Sequence, residues 1–245
     1  MALWRSQLNA GTLGRSRTAL FGLFKKPSKP DFSEIRGLLF GDAAITAWRP
    51  MDGRSETAEP WASFAVARAA LETGDTRKAV AALQSVAASN PLESRQYLQA
   101  CHFLRQLGVQ LAPDRAKQVV GVVVEVQMRT GLDTLAAYAD HTARYINHSG
   151  KLIVWEASGN DMDQRIDALL NAGQRVANAI GPWEEPRRGP PPKGHVRLNM
   201  LTPSGLHFGE GPFEILSSDP IGGPVIAAGT VLMQALVERA QSTTA

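Results

Sequence analysis

Three residues in the last third of the chain have side chains suited to chemistry: His195, His207 and Glu210. Two imidazoles and a carboxylate can act as general acid and base, or hold a metal ion, where folding brings them together. They flank or lie in "LNMLTPSGLHFGEGPF", residues 198–213. Within it, Thr202-Pro203-Ser204-Gly205 has proline second and glycine fourth, the preference of a tight turn. That turn sets Leu201 opposite Leu206 and leaves His195 at the far end from His207. The two histidines then share a metal only with help from elsewhere. The stretch therefore reads first as a glycine-rich hairpin, with a pocket beside the Gly209-Glu210-Gly211 bend as the chemical alternative.

Other sources of chemistry are missing. The chain has no G-x-x-x-x-G-K-[ST], no G-x-G-x-x-G after a strand, no H-E-x-x-H and no G-x-S-x-G. The acids of "DMDQRID", residues 161–167, lack the glycine of a calcium loop and suit the start of a helix, where they favour its dipole. Asn147-His148-Ser149 matches a glycosylation pattern too short to carry weight. With one cysteine, Cys101, there is no disulfide framework and no multi-cysteine metal site. A reducing, cytoplasmic compartment follows as the expectation. No cofactor is expected.

The elements that must position these residues read as an α+β fold. Asp31 and Glu34 open a helix that Gly41 ends, and residues 46–59 read as a polar loop. "WASFAVARAALETGDTRKAVAALQSVAASNPLESRQYLQACHFLRQLG" then gives three helical runs with turns at Gly74 and Gly108. From Val119 the period changes to alternation. Four strand runs joined by short turns predict an antiparallel meander, and "HVRLNMLT" with "LHFG" predicts a later hairpin. Two long helices, 161–180 and 224–240, each have one broad apolar side and are expected to cover one face of the sheet. Between them "GPWEEPRRGPPPKG", residues 181–194, with five prolines and three glycines, reads as a stiff extended crossing. The domain boundaries expected are a disordered basic tail over 1–30, a helical region over 31–112 and an α+β domain over 117–245.

Charge narrows the partners. Residues 1–30 hold six basic side chains and no acid, so a net +3 overall leaves −3 for the rest. The high isoelectric point belongs to the tail, and a nucleic-acid partner is not expected. Trp155, Trp183, Tyr138, Tyr145 and Phe208 are not interleaved with cations and read as packing residues. Residues 220–237 carry no charge, yet their prolines and glycines suit a buried helix rather than a membrane span.

The three helical runs resemble tetratricopeptide repeats over residues 60–108. Gly74 and Gly108 lie 34 residues apart, the period of that repeat. Ala67 and Ala79 stand at its small helix-crossing sites, Pro91 at the end of the unit, and Tyr97 and Cys101 at the corresponding sites of the next. After about one and a half units the pattern breaks at Pro113. The resemblance implies a concave face built from the first helix of each unit. By position that face would present Arg68, Glu72, Arg95, Gln99, His102 and Arg105. Such a face suits an acidic peptide or a terminal carboxylate of a protein partner. The expected function is thus a non-enzymatic binding protein engaging a partner through its helical layer. The alternative is a small-ligand sensor or enzyme with a pocket near His207 and Glu210. The whole chain also resembles bacterial proteins of unknown function that carry "FGLFKK" near the start and "LNMLTPSGLHFG" near the end. That resemblance implies no activity. It implies a natural start near Leu20, with residues 1–18 an artefact.

Overall fold

A computed structural model describes residues 32–50, 55–90 and 92–242. The basic tail, the Asp31 cap and Pro91 lie outside the described residues.

The helical region holds α1 (Phe32–Leu39), α2 (Trp61–Glu72), α3 (Thr76–Ala88), α4 (Ser94–Gln106) and the single turn α5 (Pro113–Ala116). Helices α2 and α3 form an antiparallel hairpin. Gly74 and Gly108 both have φ +77, a left-handed conformation in which a β-carbon is strained. The Asp75 carboxylate caps α3 by accepting from Lys78 N–H at 3.0 Å. Ala67 and Ala79 are fully buried, as close helix crossing requires. An apolar cluster of Phe64, Leu83, Val86, Phe103 and Leu104 holds the helices together.

Six strands form one sheet: β1 (Gly121–Gln127), β2 (Leu132–Tyr138), β3 (Ala143–Ile146), β4 (Leu152–Trp155), β5 (His195–Thr202) and β6 (Gly205–Pro212). Their order is β4-β3-β2-β1-β5-β6, and every neighbouring pair is antiparallel. The meander and the hairpin therefore join through β1 and β5. The hairpin register sets Leu201 opposite Leu206 and Thr202 opposite Gly205. The remaining helices are α6 (Asp161–Ala179), α7 (Phe213–Ser217) and α8 (Gly222–Ser242). The α+β class is as the sequence predicts. Among the described residues, no helix is long and apolar enough to cross a membrane.

The two faces of the sheet differ in chemistry. One is hydrocarbon: Val122, Val124, Leu135, Val196, Leu198 and Met200 pack under α6 and α8. Gly173 lets α6 come close, since a β-carbon there would stand 2.7 Å from Val122 Cγ2. The other face meets the helical layer. Val123, Ala136, Tyr138 and Leu201 pack on Leu39, Phe40 and Leu98. The Tyr138 hydroxyl donates to Leu39 O at 2.6 Å. Beside this patch a polar row crosses four strands: Thr134 opposite Glu125, Glu125 opposite Arg197, Arg197 opposite Glu210. Glu125 is fully buried and accepts from Arg36 Nε at 2.5 Å and Nη2 at 3.0 Å. Arg197 binds the Glu210 carboxylate and donates to Gly189 O at 2.5 Å. A buried charge is tolerated only when paired, and here each has its opposite.

One expected element changes character. Residues 46–59 do not all form a solvated loop. Trp48 is buried in the helical cluster, with its ring 5.5 Å from Trp61 and 6.0 Å from Phe64. An indole buries enough apolar surface to draw an otherwise polar segment inward.

Candidate functional site

The two layers do not close on each other along the whole sheet. Near the β5–β6 turn they part, leaving a cleft of about 870 Å³. One wall is α4. Its Leu98, His102 and Arg105 line the cleft, spaced i, i+4, i+7 and so stacked on one helix face. The opposite face of α4 supplies Ala100, Phe103 and Leu104 to the helical core. The second wall is the hairpin tip, through Leu201, Thr202, Ser204, Gly205 and Leu206. The proline-rich crossing supplies the third, from Pro182 to Arg187, and Phe40 to Asp42 lie at the base.

The crossing is tied to both layers. Trp183 N–H donates to Leu206 O at 2.6 Å. The Trp183 ring meets Phe208 edge-on at 5.1 Å, with the Arg188 guanidinium 4.6 Å above it. Arg187 donates to both oxygens of Asp42, at 2.6 and 3.1 Å, and lies 4.1 Å over the Phe40 ring. Proline fixes φ and limits the freedom of this stretch, so these few ties suffice to set a wall.

The polar groups facing the cleft are unevenly committed. Asp42 and Arg187 are spent on each other. The Thr202 hydroxyl bonds Gly205 O at 2.9 Å and shares 2.9 Å contact with the Ser204 hydroxyl. Arg105 is different. Its Nη1 donates to Pro203 O at 2.5 Å, and its other guanidinium donors have no hydrogen-bond partner among the described residues. Burial is the main influence lowering its pKa, partly opposed by the nearby Cys101 and Asp42. A desolvated guanidinium with unspent donors attracts a carboxylate or similar anion. His102 makes no side-chain hydrogen bond among the described residues. Burial first, and Arg105 second, push its pKa below the usual histidine value, while Asp42 acts the other way. It is therefore a neutral ring at neutral pH.

The sequence-nominated residues fall in several places. Of the six on the helical face, His102 and Arg105 line the cleft. Arg68 and Gln99 are buried and bond the backbone of this chain, and Arg68 also meets the Glu56 carboxylate at 3.5 Å. Gln99 Oε1 accepts from Ala43 N–H at 3.0 Å, and its Nε2 donates to Ala43 O at 2.8 Å. Arg68 donates to Ile45 O at 3.3 Å and to Trp48 O at 3.1 Å. Residues 43–48 thus lie along this part of the helical face. Glu72 is exposed, and Arg95 is half-buried beside Glu93 at 3.3 Å.

The residues of the hairpin do not converge. His195, Arg197 and Glu210 share the face toward the helical layer, whereas His207, opposite Met200, is on the other. His207 is fully buried. Its Nδ1 lies 3.2 Å from Ile180 O at the end of α6, and its Nε2 lies 3.3 Å from the Ser204 hydroxyl. A proton on Nδ1 satisfies both contacts and lets the ring close the helix end. Burial lowers its pKa, the bond to Ile180 O opposes this, and Lys117 adds to the lowering. Glu210 is spent on Arg197, and His195 opens β5 opposite Pro212. Among the described residues, no group of three or more histidine, cysteine and acidic side chains could hold a metal ion.

Three contributors escaped the sequence reading: Asp42, Arg187 and the Arg36–Glu125 pair. Glu125 did carry a signal. A carboxylate in the middle of "VVGVVVEVQM" has to be buried, and a buried carboxylate needs a cation. No family profile matches the chain. Neither a curated protein nor a solved structure is significantly similar to it.

Proposed function

We propose that this chain is a binding protein of the cytoplasm that receives an extended, carboxylate-bearing segment of a protein partner in the cleft between its two layers. The helical layer supplies the reading surface through Leu98, His102 and Arg105 of α4. The observation that carries this is the half-buried Arg105 guanidinium with donors unspent inside a cleft whose walls mix apolar and polar groups. Such a site fits a main chain with an acidic group, with Phe40, Leu98, Leu201 and Leu206 holding neighbouring side chains. Glu184 and Glu185 in the crossing wall disfavour a polyanionic nucleic-acid backbone. The buried Cys101 accords with a reducing compartment.

A second reading, a small-ligand sensor or enzyme, has one observation in its favour. The cleft volume is within the range of small-molecule pockets. His207 would then act only indirectly, through the Ser204 hydroxyl, and Glu210 would have no part.

The test is selection of a displayed random-peptide library on the full chain, with Arg105→Ala as the counter-target. Selected peptides should carry an acidic residue or free carboxyl terminus. They should bind Arg105→Ala at least about tenfold more weakly, the scale of one charge-assisted hydrogen bond. Absence of enrichment, or equal binding by an Arg105→Ala variant with unchanged circular dichroism, would sink the reading. Acidic metabolites that bind where no peptide does would favour the second.

A further inference from the structure

The two edges of the sheet are treated differently. At β6, Trp183 N–H caps Leu206 O, and the strand carries three glycines and ends in Pro212. At β4 no such cover exists among the described residues. The strand reads "LIVW"; it is short and follows Lys151, but it has no proline, internal lysine or bulge to keep it from pairing. Leu152 is 48% exposed and Val154 47%, while Ile153 and Trp155 pack inward on the hydrocarbon core.

The backbone of β4 fixes how such an edge could be used. Asn147 N–H donates to Lys151 O at 3.0 Å. Antiparallel alternation then gives the ladder bonds with β3 to residues 151, 153 and 155. The N–H and C=O groups of Leu152 and Val154 are left pointing outward. The two residues that offer free backbone groups are thus the two with bare apolar side chains.

We propose that β4 pairs antiparallel with β4 of a second copy of this chain, about a two-fold axis through Ile153, to make one continuous twelve-stranded sheet. In this register Leu152 of each copy exchanges both backbone hydrogen bonds with Val154 of the other. The exposed apolar side chains become cross-strand neighbours. Ile153 faces its own copy, and Lys151 faces Trp155. Charge agrees with this choice: β4 is bounded by Lys151 and by Glu156, whose carboxylate takes a 2.7 Å bond from Arg144 through one oxygen while its side chain stays 67% exposed. Antiparallel pairing sets the positive end of one strand against the negative end of the other. Shifting the register by two residues would put Leu152 opposite Glu156 or opposite itself and lose one of these matches. A second copy satisfies both ends at once, as a two-fold interface must. Four residues make a small interface, so the pairing is concentration-dependent and at the weak end of specific association.

The experiment is sedimentation equilibrium of the full chain from roughly 10 to 500 µM, the range suited to such weak pairing. The parent protein should shift from monomer to dimer, and Leu152→Lys and Val154→Lys should stay monomeric with unchanged circular dichroism. With Cys101→Ala as background, Ile153→Cys should form a covalent dimer under mild oxidation, because residues at the axis lie within disulfide reach. Leu152→Cys, which faces Val154 of the other copy, should not. A parent that is monomeric throughout overturns the proposal. So does a dimer that survives Val154→Lys, or a dimer in which Ile153→Cys fails to cross-link.

Discussion

The Arg36 guanidinium meets the Glu125 carboxylate through two hydrogen bonds, at 2.5 and 3.0 Å, across 89 residues of chain. One partner is on the first described helix and the other at the centre of the sheet. The bond therefore ties the helical layer to the sheet, and Arg197, 3.8 Å from the same carboxylate, ties in β5. Glu125→Ala would leave both cations without this anion in a buried place. The expected loss is about 3–5 kcal/mol in denaturant unfolding. Arg36→Met combined with Glu125→Gln should cost less than the sum of the two single changes. Strict additivity would show that the pair is not coupled.

Gln99 and Arg68 grip the backbone of residues 43–48 as a peptide groove grips a ligand. Gln99→Ala removes a two-point amide contact and leaves Ala43 N–H and C=O short of partners. The expected cost is about 1–3 kcal/mol. The effect should be local. Limited proteolysis should cut residues 43–50 sooner in Gln99→Ala than in the parent, while a fragment holding the sheet persists. An unchanged cleavage rate would show that Trp48 and Arg68 hold the segment without Gln99.

His207 makes the fold sensitive to acid. Its pKa is depressed in the folded state, chiefly by burial, so the unfolded chain takes up a proton first as pH falls. Stability is therefore full above the ordinary histidine value of about 6.5, declines as pH falls from there to the lower folded value, and levels off below it. His102 shifts in the same direction and adds to the slope. Chemical denaturation at about pH 7.5 and about pH 5.5 should show a smaller loss for His207→Gln than for the parent. His102→Gln should give a similar reduction. An equal loss in all three proteins would place the acid sensitivity elsewhere.

The Gly74 turn demands a backbone that most residues resist. Its φ of +77 is opposite in sign to the angle proline imposes, and its N–H donates to Leu71 O at 3.2 Å. Gly74→Pro should lower stability by about 3 kcal/mol or more and unfold the α2–α3 hairpin. Gly74→Asn, which tolerates this region, should cost far less. Equal melting temperatures for Gly74→Pro and the parent would contradict this account.

The fold was legible where a period repeats. Val122, Val124 and Val126 alternate, Met162, Ile166, Leu169 and Leu170 follow the helical spacing, and Thr202–Gly205 carries its turn chemistry in four letters. The site was only half legible. The i, i+4, i+7 spacing of Leu98, His102 and Arg105 is local and could be read. Arg187 and Asp42 meet across 145 residues, and nothing local to either predicts the other. The same limit hid the occupant of the Arg68 and Gln99 face, since a polar run gives no sign of where a single tryptophan will anchor. His207 and Glu210 misled because three residues on a strand put two side chains on opposite faces, although they look adjacent in the text.

The antiparallel join of β1 to β5 has a consequence for how the protein is made. β1 is one of the two central strands, yet its second neighbour, β5, follows it only after three other strands and α6, and Arg36 waits for both Glu125 and the carbonyl of Arg188. At roughly 5–20 residues per second, the interval between Gln127 at the end of β1 and His195 at the start of β5 is on the order of three to fourteen seconds. Throughout it the valine-rich flank of β1 is an open edge. The nascent chain therefore elongates through three further strands and α6 with its stickiest strand unguarded on one side, and its quality is decided when β5 emerges.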